Sequence, residues 1–252
     1  MIFDSHAHYN YDAFDDDRDE LLRSLKDNNV GAVMNCCTAL DEMELIYEMC
    51  DRYPFMYGSV GIHPNCAIKI KEHHIEEIIK WAEKDKILAI GEIGLDYYHD
   101  DVPKDIQKAC FDTQLSIASR LQMPVVVHNR EAHKDSLDMV SAYKDVIGVF
   151  HCFSGSKEMA REVLSKGYYI SLGGALTFKN NVKTVDVASY VPLDRILVET
   201  DCPFLTPVPF RGKRNNSSYI KYVIDKIAQI KGVSAEEVEN VTFNNARTLF
   251  GI

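Results

Sequence analysis

His6 and His8 stand two residues apart in Asp4-Ser5-His6-Ala7-His8, so an extended backbone puts both imidazoles on one face. Further along come His63 in Gly61-Ile62-His63-Pro64, Glu92 in Gly91-Glu92-Ile93-Gly94-Leu95-Asp96, then His128, His151 and Asp201. Neutral imidazole and carboxylate ligate Zn²⁺, Mn²⁺ or Fe²⁺, and carboxylate also suits Mg²⁺. His6, His8, Glu92, His128, His151 and Asp201 exceed what one four-coordinate ion needs. They would serve two divalent ions about 3.5–4 Å apart with a carboxylate between them, a pairing that acidifies a shared water and steadies the oxygens of an in-line displacement. The remaining histidines, His73, His74, His99 and His133, fall in a helix start, a loop or just beyond a strand. They read as solvated, with His99 close enough in sequence to the others to stay in play.

Groups so far apart in the chain need a frame that gathers them. Short apolar runs recur at Ile2-Phe3-Asp4, Gly31 to Met34, Met56 to Val60, Ile87 to Ile90, Pro124 to Val127, Ile147 to Phe150, Tyr168 to Ser171 and Arg195 to Val198. Between them lie segments with apolar residues at helical spacing, such as Ile75, Ile78, Ile79 and Ala82. Strands alternating with helices imply a parallel sheet, open or closed. Eight such units in 252 residues match the size of a (β/α)₈ barrel, in one domain spanning 1–252. Successive candidate ligands are separated by intervals close to one or two strand–helix units, so each lands at the C-terminal end of its strand. A closed barrel makes the first and last strands neighbours and lets all of them converge on one mouth; an open sheet would scatter them. The expectation is therefore an α/β TIM barrel with its site at the C-terminal mouth.

Composition narrows the rest. With 46% apolar and 26% charged residues, a long disordered stretch is excluded. The start MIFDSHAHYN has neither the basic region nor the apolar run of a signal peptide, and no stretch is long and apolar enough to span a membrane. Seven cysteines without a C-x-x-C pair read as free thiols. Together these predict a cytoplasmic protein, with a monomer expected. A net charge of −10 excludes a protein that coats nucleic acid by bulk charge.

The motifs resemble those of the TatD-family metal-dependent deoxyribonucleases. The resemblance rests on the His6-His8, His63, Glu92 and His128-Asn129-Arg130-Glu131-Ala132 blocks, on His151-Cys152-Phe153-Ser154-Gly155, and on Glu199-Thr200-Asp201-Cys202-Pro203. The stretch Pro209-Phe210-Arg211-Gly212-Lys213-Arg214-Asn215 adds to it, and the match runs from residue 2 to Phe250 in the family's order. It implies a TIM barrel in which His6, His8, Glu92 and Asp201 hold one ion and Glu92, His128 and His151 the second. The ions would be Mg²⁺, Zn²⁺ or Mn²⁺. The implied activity is removal of nucleotides from DNA ends, single-stranded or frayed, from 3′ to 5′ by a metal-activated water. Asp201 and Glu92 would be catalytic, Asp201 doubling as proton acceptor. His63 would reach the scissile phosphate, and Arg130, Arg211, Lys213 and Arg214 would clamp phosphates. Glu199 would buttress a ligand.

Asn216-Ser217-Ser218 and His99-Asp100-Asp101 depart from the family pattern and are expected on the rim. The alternative is an amidohydrolase or lactonase on the same scaffold, which a two-metal mouth serves equally well. The basic run from Arg211 to Arg214 favours an anionic ester. An otherwise acidic surface repels duplex away from that mouth and so suits an enzyme of ends.

Overall fold

The computed structural model describes all 252 residues, and every apolar run named above is a strand. The strands are β1 (Ile2–Ala7), β2 (Val30–Asn35), β3 (Met56–Val60), β4 (Ile87–Asp96), β5 (Val125–Arg130), β6 (Gly148–Phe150), β7 (Tyr169–Leu172) and β8 (Ile196–Val198). They pair in parallel in chain order, each with the next. Nine helices follow the same alternation: α1 (Arg18–Ser24), α2 (Met43–Arg52), α3 (Glu72–Ala82), α4 (Lys104–Leu121), α5 (His133–Ala142), α6 (Lys157–Ser165), α7 (Val182–Tyr190), α8 (Ile220–Lys231) and α9 (Ala235–Phe250). Ser234 caps α9, its hydroxyl accepting from the Glu237 N–H at 3.1 Å. The fold is the expected TIM barrel. No helix is long and apolar enough to cross a membrane, and all seven cysteines are free thiols.

Strands buried on both faces read as continuous apolar runs because each face meets a different core. Phe3, Ala32, Ala89, Val126, Val149, Tyr169 and Leu197 form one cluster, with Leu249 and Phe250 of α9 packed on it. Contributions from so many strands to one cluster mark it as the barrel filling. A larger cluster of 56 buried residues joins the outer strand faces to the helices.

Two slips in register aim the candidate ligands. Phe3 belongs to the filling, and the Ser5 hydroxyl lies 3.1 Å from that of Ser171. Strict alternation from Phe3 and Ser5 would send His6 and His8 outward. The β1–β2 register shifts between Asp4 and Ala7, and this bulge turns both imidazoles into the mouth. The β4–β5 register shifts likewise between Ile90 and Ile93, around Glu92. Here the structure extends the expected strand: β4 runs six residues past Ile90, so Glu92 sits within it rather than at its end. The polar, glycine-bearing sequence hides this continuation. Gly94 has φ 145°, and a Cβ there would stand 2.0 Å from the His128 carbonyl oxygen, so only glycine fits.

The barrel closes between β8 and β1 through the loop that carries Asp201. The Asp201 N–H donates to the His6 carbonyl and the His8 N–H to the Cys202 carbonyl, each at 2.9 Å. Beneath this seam Asp4 is fully buried and accepts from Thr200 N–H at 3.0 Å, His6 N–H at 3.3 Å, Thr200 Oγ1 at 2.7 Å and Ser217 Oγ at 2.6 Å. Burial pushes the Asp4 carboxyl up to about 7 in spite of these donors. Ser217 is thus a buried strut, which corrects its expected place on the rim.

Asp4→Ala strips four donors of their acceptor, two of them backbone amides. It is expected to cost about 3 kcal/mol, which a thermal melt reads as a fall of about 6–12 °C. Asp4→Asn keeps one oxygen for the amides and faces two hydroxyls that can rotate, so its melting point falls much less.

Candidate metal centre at the barrel mouth

The seven mouth residues predicted from sequence converge. His8, His63, Glu92, His128, His151 and Asp201 line one cavity of about 570 Å³ at the mouth, with His6 buried directly beneath. Glu92 stands at the centre and its two oxygens face different partners. Oε2 lies 3.1 Å from His6 Nε2 and 3.7 Å from His8 Nε2. Oε1 lies 2.7 Å from both His128 Nδ1 and His151 Nε2, and 3.5 Å from His63 Nε2. Asp201 Oδ1 completes the first group, 3.8 Å from His6 Nε2 and 3.5 Å from His8 Nε2. Asp201 itself has φ 57°, a left-handed turn that aspartate tolerates better than most residues.

The second nitrogen of each ring fixes which one points a lone pair into the mouth. His8 Nδ1 is 2.9 Å from the Cys36 carbonyl, which only accepts, so Nδ1 carries the proton and Nε2 the lone pair. His128 lies between two carboxylates, Nε2 3.1 Å from Asp96 Oδ2 and Nδ1 2.7 Å from Glu92 Oε1, so the metal-free ring donates at both ends and a cation would take the Nδ1 lone pair by displacing that proton. His63 is the reverse of His8. Its Nδ1 accepts the Asn65 N–H at 3.1 Å, so the neutral ring presents an N–H to the cavity. His63 is therefore built to donate to an oxygen rather than to ligate.

His6 and His151 stack with ring centroids 3.8 Å apart. The Nδ1 atoms of both are buried without a hydrogen-bond partner, and Glu199 lies beneath them. Glu199 Oε1 accepts the Cys152 N–H at 2.7 Å and lies 3.7 Å from His151 Nδ1, while Oε2 is buried and unpartnered. A buried carboxylate there favours protons on both Nδ1 atoms and lone pairs on both Nε2 atoms. Glu199→Ala is expected to weaken divalent-ion affinity about 10–100-fold. Calorimetric titration of the metal-stripped protein with Mn²⁺ checks this.

Charge accounts for the titration behaviour. Burial opposes ionisation of Glu92, yet the charges of His151, His6 and His63 and the His128 hydrogen bond hold it well below the usual range. Asp201 is held low against burial by the His8 hydrogen bond and the nearby imidazoles. Burial also works against protonating His8, His128 and His151, but the adjoining carboxylates outweigh it and raise all three. Burial lowers His6 and His63.

The signs give a pH test. Raised histidines stabilise the metal-free fold below about pH 6.5, and that contribution fades as pH rises through their higher folded values. The depressed carboxylates stabilise it above their ordinary range and lose that effect only in acid. A divalent ion must displace the imidazole protons. The melting-point gap between Mn²⁺-loaded and stripped protein is therefore expected to widen from about pH 5 to pH 8.

The donor set fits divalent cations. His6, His8 and Glu92 form one group with ligand atoms mutually within 4.8 Å; Glu92 and His128 belong to another, whose third member, His63, turns an N–H toward it. Lone pairs and carboxylate oxygens crowd together there in a buried space, an arrangement that a cation satisfies.

The predicted cations are placed unequally. Arg130 lines the cavity with its guanidinium 3.9 Å over the Tyr98 ring and no carboxylate partner. Arg211 and Lys213 line adjoining hollows instead. Arg214 is drawn away from the mouth: it pairs with Asp17 and donates to the Ala13 carbonyl at 2.7 Å. Sequence reasoning missed Asp96 as a partner of His128, although its spacing from Glu92 puts both on one face of a longer strand. It also missed Tyr11, stacked on His8 at 4.9 Å, and Phe204, 52% exposed on the mouth wall. His99, kept in play from its place in the sequence, does line the mouth and lies 3.0 Å from Asp96 Oδ2.

Comparison with known proteins extends these observations. Residues 3–251 match the model of the family described as TatD related DNase. The chain is 42% identical to the uncharacterized metal-dependent hydrolase YabD of Bacillus subtilis, over the whole of both chains. It is 29% identical to the 3′-5′ ssDNA/RNA exonuclease TatD of Escherichia fergusonii, covering 100% of this chain and 99% of that one. The crystal structure of YjjV, a TatD homologue from Escherichia coli, superposes with a TM-score of 0.94 at 29% identity, covering 100% of this chain and 98% of that one.

Proposed function

Since the chain belongs to the TatD-related DNase family of metal-dependent hydrolases, we propose that it is an exodeoxyribonuclease that removes nucleotides from the 3′ end of DNA at a two-metal site. The observation that carries this reading is the division of Glu92, whose Oε2 faces His6 and His8 while Oε1 faces His128 and His151. One ion would be held by His6, His8, Glu92 and Asp201, the other by Glu92, His128 and His151. Bound there, divalent ions supply Lewis-acid polarisation of the phosphodiester and an acidified water.

The chain's own groups do the rest. Asp201, ionised and reaching the cavity, accepts the proton of the attacking water. The His63 N–H donates to a phosphate oxygen. Arg130, its guanidinium over the Tyr98 ring, reaches the same phosphate, bidentately where geometry allows. Tyr98, 61% exposed, and Phe204 supply ring faces for bases. The cavity volume suits the end of a strand rather than the body of a duplex. Arg214 has no part in this site, since Asp17 occupies it.

A metal-stripped preparation re-loaded with Mg²⁺, Mn²⁺ or Zn²⁺ tests the reading against a panel of single- and double-stranded DNA, RNA, an amide and a lactone. DNA should be shortened by the loaded protein. Intact DNA beside a lactone or amide consumed by the loaded protein would overturn the proposal.

A further inference from the structure

Arg211, Lys213 and Lys179 share with Arg130 the lack of an acidic partner but lie beyond the mouth cavity. Arg214 is paired with Asp17, but these three enter no ion pair and make no side-chain hydrogen bond in a chain of net charge −10. Arg211 and Lys213 lie on the loop after β8, and Lys179 lies just before α7. All are exposed.

The Arg211 guanidinium carbon lies 3.9 Å from the centre of the Phe178 ring, and the exposed side chain makes no hydrogen bond within the chain. Two hollows adjoin there. One, of about 340 Å³, has Phe178, Lys179, Asn180 and Arg211 in its wall. The other, of about 230 Å³, has Phe178, Arg211 and Lys213, and it shares Leu205 with the metal-site cavity. No acid lines either hollow, whereas Glu92, Asp96 and Asp201 line the mouth. The surface therefore changes from acidic to basic on crossing Leu205.

We propose that these hollows form a track for single-stranded DNA, carrying the part of the strand not yet degraded away from the mouth across Leu205. Backbone phosphates meet Lys213, Arg211 and Lys179 in turn. A base stacks on the Arg211 guanidinium, which rests against Phe178. Asn180 adds an amide that both donates and accepts, without reading sequence. The chain then holds DNA at two places, Arg130 with Tyr98 at the cut and Arg211 with Phe178 beyond it. Strands long enough to reach both are preferred.

This inference rests on the proposed deoxyribonuclease activity. Its test uses the metal-loaded protein and phosphorothioate oligonucleotides, a dinucleotide and an octanucleotide, titrated at several salt concentrations. Wild type should bind the octanucleotide more tightly. In the Lys179→Ala/Lys213→Ala double variant that advantage should shrink about tenfold, and the slope of log K against log salt should fall by about 1.4, at about 0.7 per phosphate contact. A variant that keeps both the preference and the slope overturns the track, as does a wild type that binds the two lengths equally. Hydrolysis of ordinary DNA by the same wild-type sample separates the two claims. If DNA is shortened while the variant's slope is unchanged, only the track is wrong; if DNA is untouched, the deoxyribonuclease reading fails.

Discussion

Glu92→Ala is expected to abolish DNA hydrolysis, with kcat/KM falling at least about 10³-fold, and to reduce metal loading at the same time. Both effects have one source. Each oxygen of Glu92 faces its own pair of imidazoles, so alanine removes a ligand from both groups at once. Metal catalysis is worth several kcal/mol of transition-state stabilisation, and each factor of ten corresponds to about 1.4 kcal/mol. Glu92 is also the carboxylate that offsets the charges of the neighbouring histidines. The metal-free variant should therefore lose the raised titration of His151 as well, visible in the imidazole resonances of an NMR pH series. Metal analysis beside kcat/KM separates loss of ions from loss of a proton carrier.

Asp201→Asn should act differently. The amide preserves size and one oxygen, so the group formed by Glu92, His128 and His151 keeps its geometry. The variant loses the charged acceptor for the proton of the attacking water. A drop of about 10²–10⁴-fold in kcat is expected, with KM for DNA changed far less because Arg130 and His63 are untouched. Wild-type Asp201 is held below the usual carboxylate range. The acid limb of its rate profile should lie correspondingly low, and that limb should move in the variant. A fall confined to KM would mean that Asp201 only helps to bind substrate.

Much of this molecule is legible in its sequence, for identifiable reasons. Parallel strands buried on both faces announce themselves as short apolar runs, and each run proved to be a strand. The order of the groups at the mouth follows from the alternation of strand and helix. What sequence conceals are events that depend on a partner far along the chain. The bulges in β1 and β4 decide that His6, His8 and Glu92 face inward, yet they exist only relative to the neighbouring strand. Nothing local in Arg214 reveals that Asp17 will occupy it, 197 positions away. Ser217 reads as a loop residue until Asp4 and Tyr9 close around it. What His63 and His128 turn toward the cavity depends on Asn65 in one case and Asp96 in the other. No spacing rule distinguishes the two rings.

The most direct measurement follows a single-stranded oligonucleotide labelled at its 5′ end, incubated with Mg²⁺- or Mn²⁺-loaded protein and resolved by length over time. A ladder of strands shortened stepwise from the 3′ end, absent with metal-stripped protein and with Glu92→Ala, is the predicted result. A label released at once by attack from the 5′ end, or a strand that stays full length with every ion, would contradict it.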